Sequence, residues 1–189
     1  MLRQTTLILA GLLMLAGCQG SGWFSKPKPR AVADPQEPIR IVGGFFGQNA
    51  PQSTAVKVVS MVGDRRTMAV PFEMQVQMAS GLQVDSRPLK SGQDVENVRG
   101  TTSTPLAEIT FNGPNGALIL YLDTYGLSLG NQGNHRLYNP ALATHLRRLF
   151  TNAGLMQGRL GQVLELSLKK AAGQANIYQQ PPMDVAVTN

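Results

Sequence analysis

Apolar and polar residues alternate along this chain with two different periods, and the periods divide it into a strand-rich front and a helical rear. Between residues 68 and 78 every even position is apolar (Met68, Val70, Phe72, Met74, Val76, Met78), while Glu73, Gln75 and Gln77 are polar. Strict alternation over that length predicts a strand with one wet and one buried face. Pro71 falls on the outer side and cannot donate to a ladder, which predicts an edge position or a bulge. Pro71, Glu73, Gln75 and Gln77 then form a candidate edge on which a partner's strand adds. Further on, Ala107, Ile109 and Phe111 alternate with Glu108 and Thr110, and Asn112-Gly113-Pro114-Asn115-Gly116 leads into an apolar run at 118–122. This is a hairpin pattern, with Asn and Gly for the turn. The unbroken apolar run predicts a central strand covered on both faces. Residues 39–42 and the valine-rich 54–62 read as two more strands, and Ile177-Tyr178 as a short last one.

The rear of the chain changes period. Asn139-Pro140 supplies a cap residue followed by proline at the first helical position. Leu142, Leu146, Leu149, Phe150 and Ala153 then share one helical face, and Gly154 supplies the stop. Segment 160–172 fits two patterns. Leu160, Val163, Leu164 and Leu168 make a helical face, whereas Leu164-Glu165-Leu166-Ser167-Leu168 alternates like a strand. Lys169, Lys170, Ala171 and Ala172 favour the helix, ending at Gly173, because the lysines suit a helix C-terminus. The polar stretch 90–104 has no period and predicts a long loop that is functional or mobile. Together these elements predict an α+β domain over residues 39–180. Its sheet is mostly antiparallel, about six strands, with one or two C-terminal helices packed on one face. A disordered tail at 181–189 follows.

Ahead of the domain the pattern is neither of these. Arg3, an apolar run at 7–15 and the small residues Ala16 and Gly17 have the order of a secretory signal over residues 1–17. The run is too short to cross a bilayer. Cys18, the only cysteine, closes Leu15-Ala16-Gly17-Cys18. This motif resembles the lipobox of bacterial lipoproteins, the class cut by signal peptidase II, here between Gly17 and Cys18. The resemblance covers the first 18 residues and implies a diacylglyceryl group on the Cys18 thiol and a third acyl chain on its amine. Gln19, where lipoproteins kept at the inner membrane tend to carry Asp, implies by the same resemblance an outer-membrane address. One acyl chain anchors only marginally at about 0.8 kcal/mol per methylene, so three hold almost permanently. A single cysteine used in this way leaves none for a disulfide. Prolines 27, 29, 35 and 38 exclude a helix and predict an extended tether over 18–38, reaching roughly 60 Å. Trp23 and Phe24 suit the headgroup level, and Lys26, Lys28 and Arg30 each add on the order of 1 kcal/mol beside an anionic surface.

Composition narrows the function. Charged residues are 15% of the chain, against about a quarter ordinarily. The net charge of +6 points to anionic lipid or the acidic cell-wall polymer, since an exported chain rarely meets nucleic acid. Adjacent pairs such as Arg65-Arg66, Arg147-Arg148 and Lys169-Lys170 read as a solvated surface. A nucleophilic triad drawn from Asp123, His135 and His145 lacks a Gly-x-Ser-x-Gly elbow. Two histidines with no second cysteine match no metal pattern. Met68, Met74 and Met78 read as core filler rather than as thioether ligands for copper(I). The glycine clusters at 43–47 and 126–133 lack the Gly-Lys-Ser/Thr of a phosphate loop. The expectation is a non-enzymatic outer-membrane lipoprotein without cofactor or metal, facing the periplasm. It docks on protein partners in a secretion, conjugation, pilus or attachment apparatus, and peptidoglycan is a further candidate partner. The alternatives are a peptidoglycan hydrolase or its activator, working through Asp123, His135 and His145, and a periplasmic lipid or small-ligand carrier.

Overall fold

Residues 39–42, read as a strand, belong instead to helix α1 (Glu37–Gln48). The computed structural model describes residues 34–89, 104–130 and 135–179. The signal, Cys18, most of the tether, nearly all of the 90–104 stretch and the 181–189 tail lie outside the described residues. Pro38 starts α1 rather than extending the tether, because a proline in the first turn loses only an amide that has no helical partner. Val42 and Phe46 follow Pro38 at four-residue spacing, and all three are buried. Packing of that stripe overrides the strand preference of Ile39, Ile41 and Val42.

The alternating segment is the second correction. Strand β1 (Ala55–Ser60) turns into the short β2 (Arg66–Met68), and only Met68 of the expected strand lies in it. The rest forms helix α2 (Phe72–Asp85), with Pro71 at its N-cap. Met74, Met78, Ala79 and Leu82 make its buried face, while Phe72 is 70% exposed. Pro71, Glu73, Gln75 and Gln77 are therefore not on a strand edge. Gln75 does the reverse of offering one. Its Oε1 accepts the Val56 amide at 2.9 Å, and its Nε2 donates to the Val70 carbonyl at 2.9 Å. Strand β2 pairs only with Val58, Val59 and Ser60, so Gln75 covers part of β1 that β2 does not reach.

The sheet continues through β3 (Arg87–Pro88), β4 (Ala107–Gly113), β5 (Gly116–Asp123), β6 (Gly126–Leu129) and β7 (His135–Tyr138). It has seven strands in the order β2-β1-β4-β5-β6-β7-β3, every pair antiparallel. The β4–β5 hairpin forms as its sequence predicts. Gly113 pairs with Gly116 across Pro114-Asn115, and Gly116 takes a φ of +136° that disfavours a side chain. The tip is fastened to the end of α1. Asn49, buried, accepts the Asn115 amide at 2.8 Å, and Asn115 donates to the Gln48 carbonyl at 2.7 Å.

Register puts Val58, Ile109, Leu120 and Leu129 in one row, and that face carries the core. Helix α3 (Pro140–Asn152) closes over it as the periodicity predicts, and α4 (Gly158–Ala171) joins it, so the segment that fits both patterns is helical. The apolar faces of α1 to α4 and of the sheet join in one continuous cluster. Asn139 organises the junction. Its Oδ1 caps the Leu142 amide at 2.7 Å, while its Nδ2 donates to the Gly81 carbonyl and the Ser86 hydroxyl. The class is thus α+β, with α1 and α2 added to the two helices expected. The opposite face of the sheet is partly open. Lys57, Asn112 and Ala117 are exposed and Ile119 is 40% exposed, so central strand β5 is not covered on both faces. Ile177 is not in a strand; it is buried with Leu89 against Tyr125 and Tyr138. None of the described helices is long and apolar enough to cross a membrane.

Candidate functional site

Charge gathers in two places, one closed and one open. The closed one lies on the sheet face opposite the main core, where β5 ends. The Arg136 guanidinium grips Asp123 with two bonds, at 2.9 and 2.6 Å, and both side chains are almost wholly buried. The Tyr125 amide donates to the same carboxylate at 2.7 Å. Lys170 reaches in from α4, donating to the Thr124 carbonyl at 2.7 Å, and the Tyr125 ring lies near both cations. Burial lowers the Lys170 pKa below its ordinary value; nearby Asp123 opposes that shift and Arg136 adds to it. Two cations therefore share one carboxylate, and the Arg136 Nε has no hydrogen-bond partner among the described residues. The arrangement ties the β5–β6 turn to β7 and to α4.

This geometry separates the residues a hydrolase would need. Asp123 has both oxygens engaged by Arg136 and is not free to orient an imidazole. His135 Nδ1 faces Glu37 at 3.5 Å, joining β7 to the start of α1. His145 sits half-exposed on α3, its pKa lowered first by burial and then by Arg148. Each of the three has a different neighbour. Met68, Met74 and Met78 are all buried in the core cluster. Among the described residues no three His, Cys, Asp or Glu side chains gather where a metal ion could be held.

The open site is a cleft of about 350 Å³ between β2, the start of α2 and the last turn of α3. Met68, Met74 and Leu149, all nearly buried, give it an apolar lining, and Thr67, Asn152, Arg66 and Arg148 give it a polar one. Arg66 donates to the Ala153 carbonyl at 2.5 Å, placing a cation at the negative end of α3. Neighbouring Arg147 is spent on a two-pronged bond to Glu165 of α4, at 2.9 and 3.0 Å. Arg148, exposed, has no ion pair among the described residues. Among the described residues no carboxylate lines the cleft. Its rim is cationic.

Sequence reasoning missed this site. Arg65-Arg66 and Arg147-Arg148 stand out as doublets, but only the fold brings one member of each to a common cleft. No protein-family model, curated protein or solved structure matches this chain. Function is therefore argued from the residues themselves.

Proposed function

We propose that this chain is a lipoprotein held at the outer membrane through Cys18, whose α+β domain docks on a protein partner in a cell-envelope assembly without catalysing a reaction. The observation that carries the reading is Leu15-Ala16-Gly17-Cys18 directly behind a short apolar run and Arg3. Two features of the domain support it. Asp123 and His135 face different structural partners, and an open cleft lined by Arg66 and Arg148 lies beside the strand β2. Membrane fractionation tests the anchor. Cys18→Ser, or treatment with globomycin, should prevent maturation of the lipidated form and deplete the processed chain from the outer membrane. An equally membrane-bound mature chain after either treatment refutes it. Cross-linking in intact cells tests the docking: a discrete higher-mass complex supports it, and recovery of the free monomer alone counts against it.

A further inference from the structure

We propose that the cleft between β2 and α3 receives the carboxylate end of an extended peptide. The terminal carboxylate lies between Arg148 and Arg66, and the peptide backbone runs beside β2. The inference deepens the docking half of the proposed function, and its test does not involve the anchor.

The placement of β2 carries the argument. Among the described residues it is the outermost strand of the sheet, paired with β1 on one side only. Residues 66, 67, 68 and 69 all line the cleft, although neighbours along a strand point to opposite faces. Only the free edge of a strand presents both sets together. An open strand edge is the surface on which an extended peptide adds, through main-chain hydrogen bonds. Thr67 and Asn152 supply further polar groups for peptide amides.

Charge then sets the polarity of the ligand. Among the described residues Arg148 has no ion pair and no acidic side chain lines the cleft, and Arg66 has donors beyond the one used on Ala153. Planar guanidinium groups match carboxylates with paired hydrogen bonds. Size suits a slender ligand. About 350 Å³ is near the lower end of small-molecule sites, and a helix with its side chains is roughly 10 Å across. The apolar lining from Met74 and Leu149 accepts small apolar side chains.

NMR on the isotope-labelled full chain in detergent micelles tests this, with N-acetyl-trialanine as free acid and as the terminal amide at millimolar concentration. The free acid should shift the backbone amides of residues 66–69 and the Arg148 side-chain signal. The amide should bind about tenfold more weakly or worse, since a charge-assisted bond to an arginine is lost. Arg148→Glu should abolish the preference for the acid, with thermal unfolding unchanged because the side chain is exposed. Arg40→Glu on α1, exposed and away from the cleft, should leave it intact. Equal shifts from acid and amide, shifts outside the cleft only, or a preference surviving Arg148→Glu would overturn the proposal. Arg148-dependent binding of phosphatidylglycerol vesicles with no response to the peptide would also overturn it, in favour of a lipid headgroup.

Discussion

Replacing Asp123 by Asn isolates the energetic role of the buried charge cluster. The asparagine keeps an oxygen for the Tyr125 amide, 2.7 Å from the carboxylate, so the backbone turn retains its acceptor. What disappears is the negative charge between Arg136 and Lys170. Arg136 is 1% exposed at its side chain and Asp123 6%, so water cannot replace the lost partner. Removing one member of a buried ion pair costs about 3–5 kcal/mol, mostly as the penalty of an unpaired buried charge. Here the penalty includes repulsion between the two cations that remain. Total stability of a domain is about 5–15 kcal/mol, so D123N should consume roughly a fifth of it or more. At about 2–4 °C per kcal/mol for a chain of this size, Tm falls by roughly 6–20 °C. Urea unfolding followed by circular dichroism measures the loss directly, provided the slope with denaturant is unchanged. A paired control separates charge from shape. Replacing Asp123 by Asn and Arg136 by Met together keeps the acceptor for the Tyr125 amide, removes the stranded guanidinium, and should cost less than D123N alone. A D123N penalty below about 1 kcal/mol would refute the reasoning, because it would show that water reaches the cluster.

Other substitutions read other parts of the fold. Asn139→Ala removes the α3 cap and leaves the Gly81 carbonyl without that donor, for a loss of about 2–4 kcal/mol in denaturant unfolding. Gly161→Ala places a Cβ 2.4 Å from the Met156 backbone, and should destabilise by about 2 kcal/mol or more. Gly44→Ala in α1 meets open space and should stabilise by about 0.5–1 kcal/mol, so calorimetry should move the two glycine variants in opposite directions. His145 titrates lower in the folded chain than in the unfolded one, so the unfolded state binds its proton first as pH falls. Stability from this group is complete above about pH 6.5 and declines as pH drops toward the folded value. The acid limb of a Tm-against-pH curve should therefore be shallower in His145→Gln.

The parts of the fold legible in the sequence are those where one period stands alone. The β4–β5 hairpin alternates and then turns on Asn and Gly, and α3 repeats leucine at helical spacing between a cap and a glycine stop. Segment 68–78 was misleading because Met74 and Met78 satisfy both a period of two and a step of four. Ala79 and Leu82 continue the helical face beyond the alternation and carry the deciding signal. Phe72 completed the strand pattern and is in fact exposed. In α1 the β-branched residues spoke for a strand, while Pro38, Val42 and Phe46 held the helical spacing. The class survived these errors because five of the seven strands described, β1 and those after residue 106, lie outside the two misread segments. The cleft was not legible at all, since Arg66 and Arg148 meet only through packing of β2 against the end of α3.

Helix α1 is riveted at both ends to strands distant in sequence. Glu37 meets His135 of β7 at its beginning, and Gln48 with Asn49 holds the β4–β5 tip at its end. Whatever precedes residue 34 joins the domain through this bar. A mechanical pull arriving along the chain from that side would load the half-exposed Glu37–His135 contact first and the Asn49–Asn115 clasp after it, instead of unzipping a single strand from its margin. For a protein restrained on one side and loaded on the other, such a yoke resists tearing.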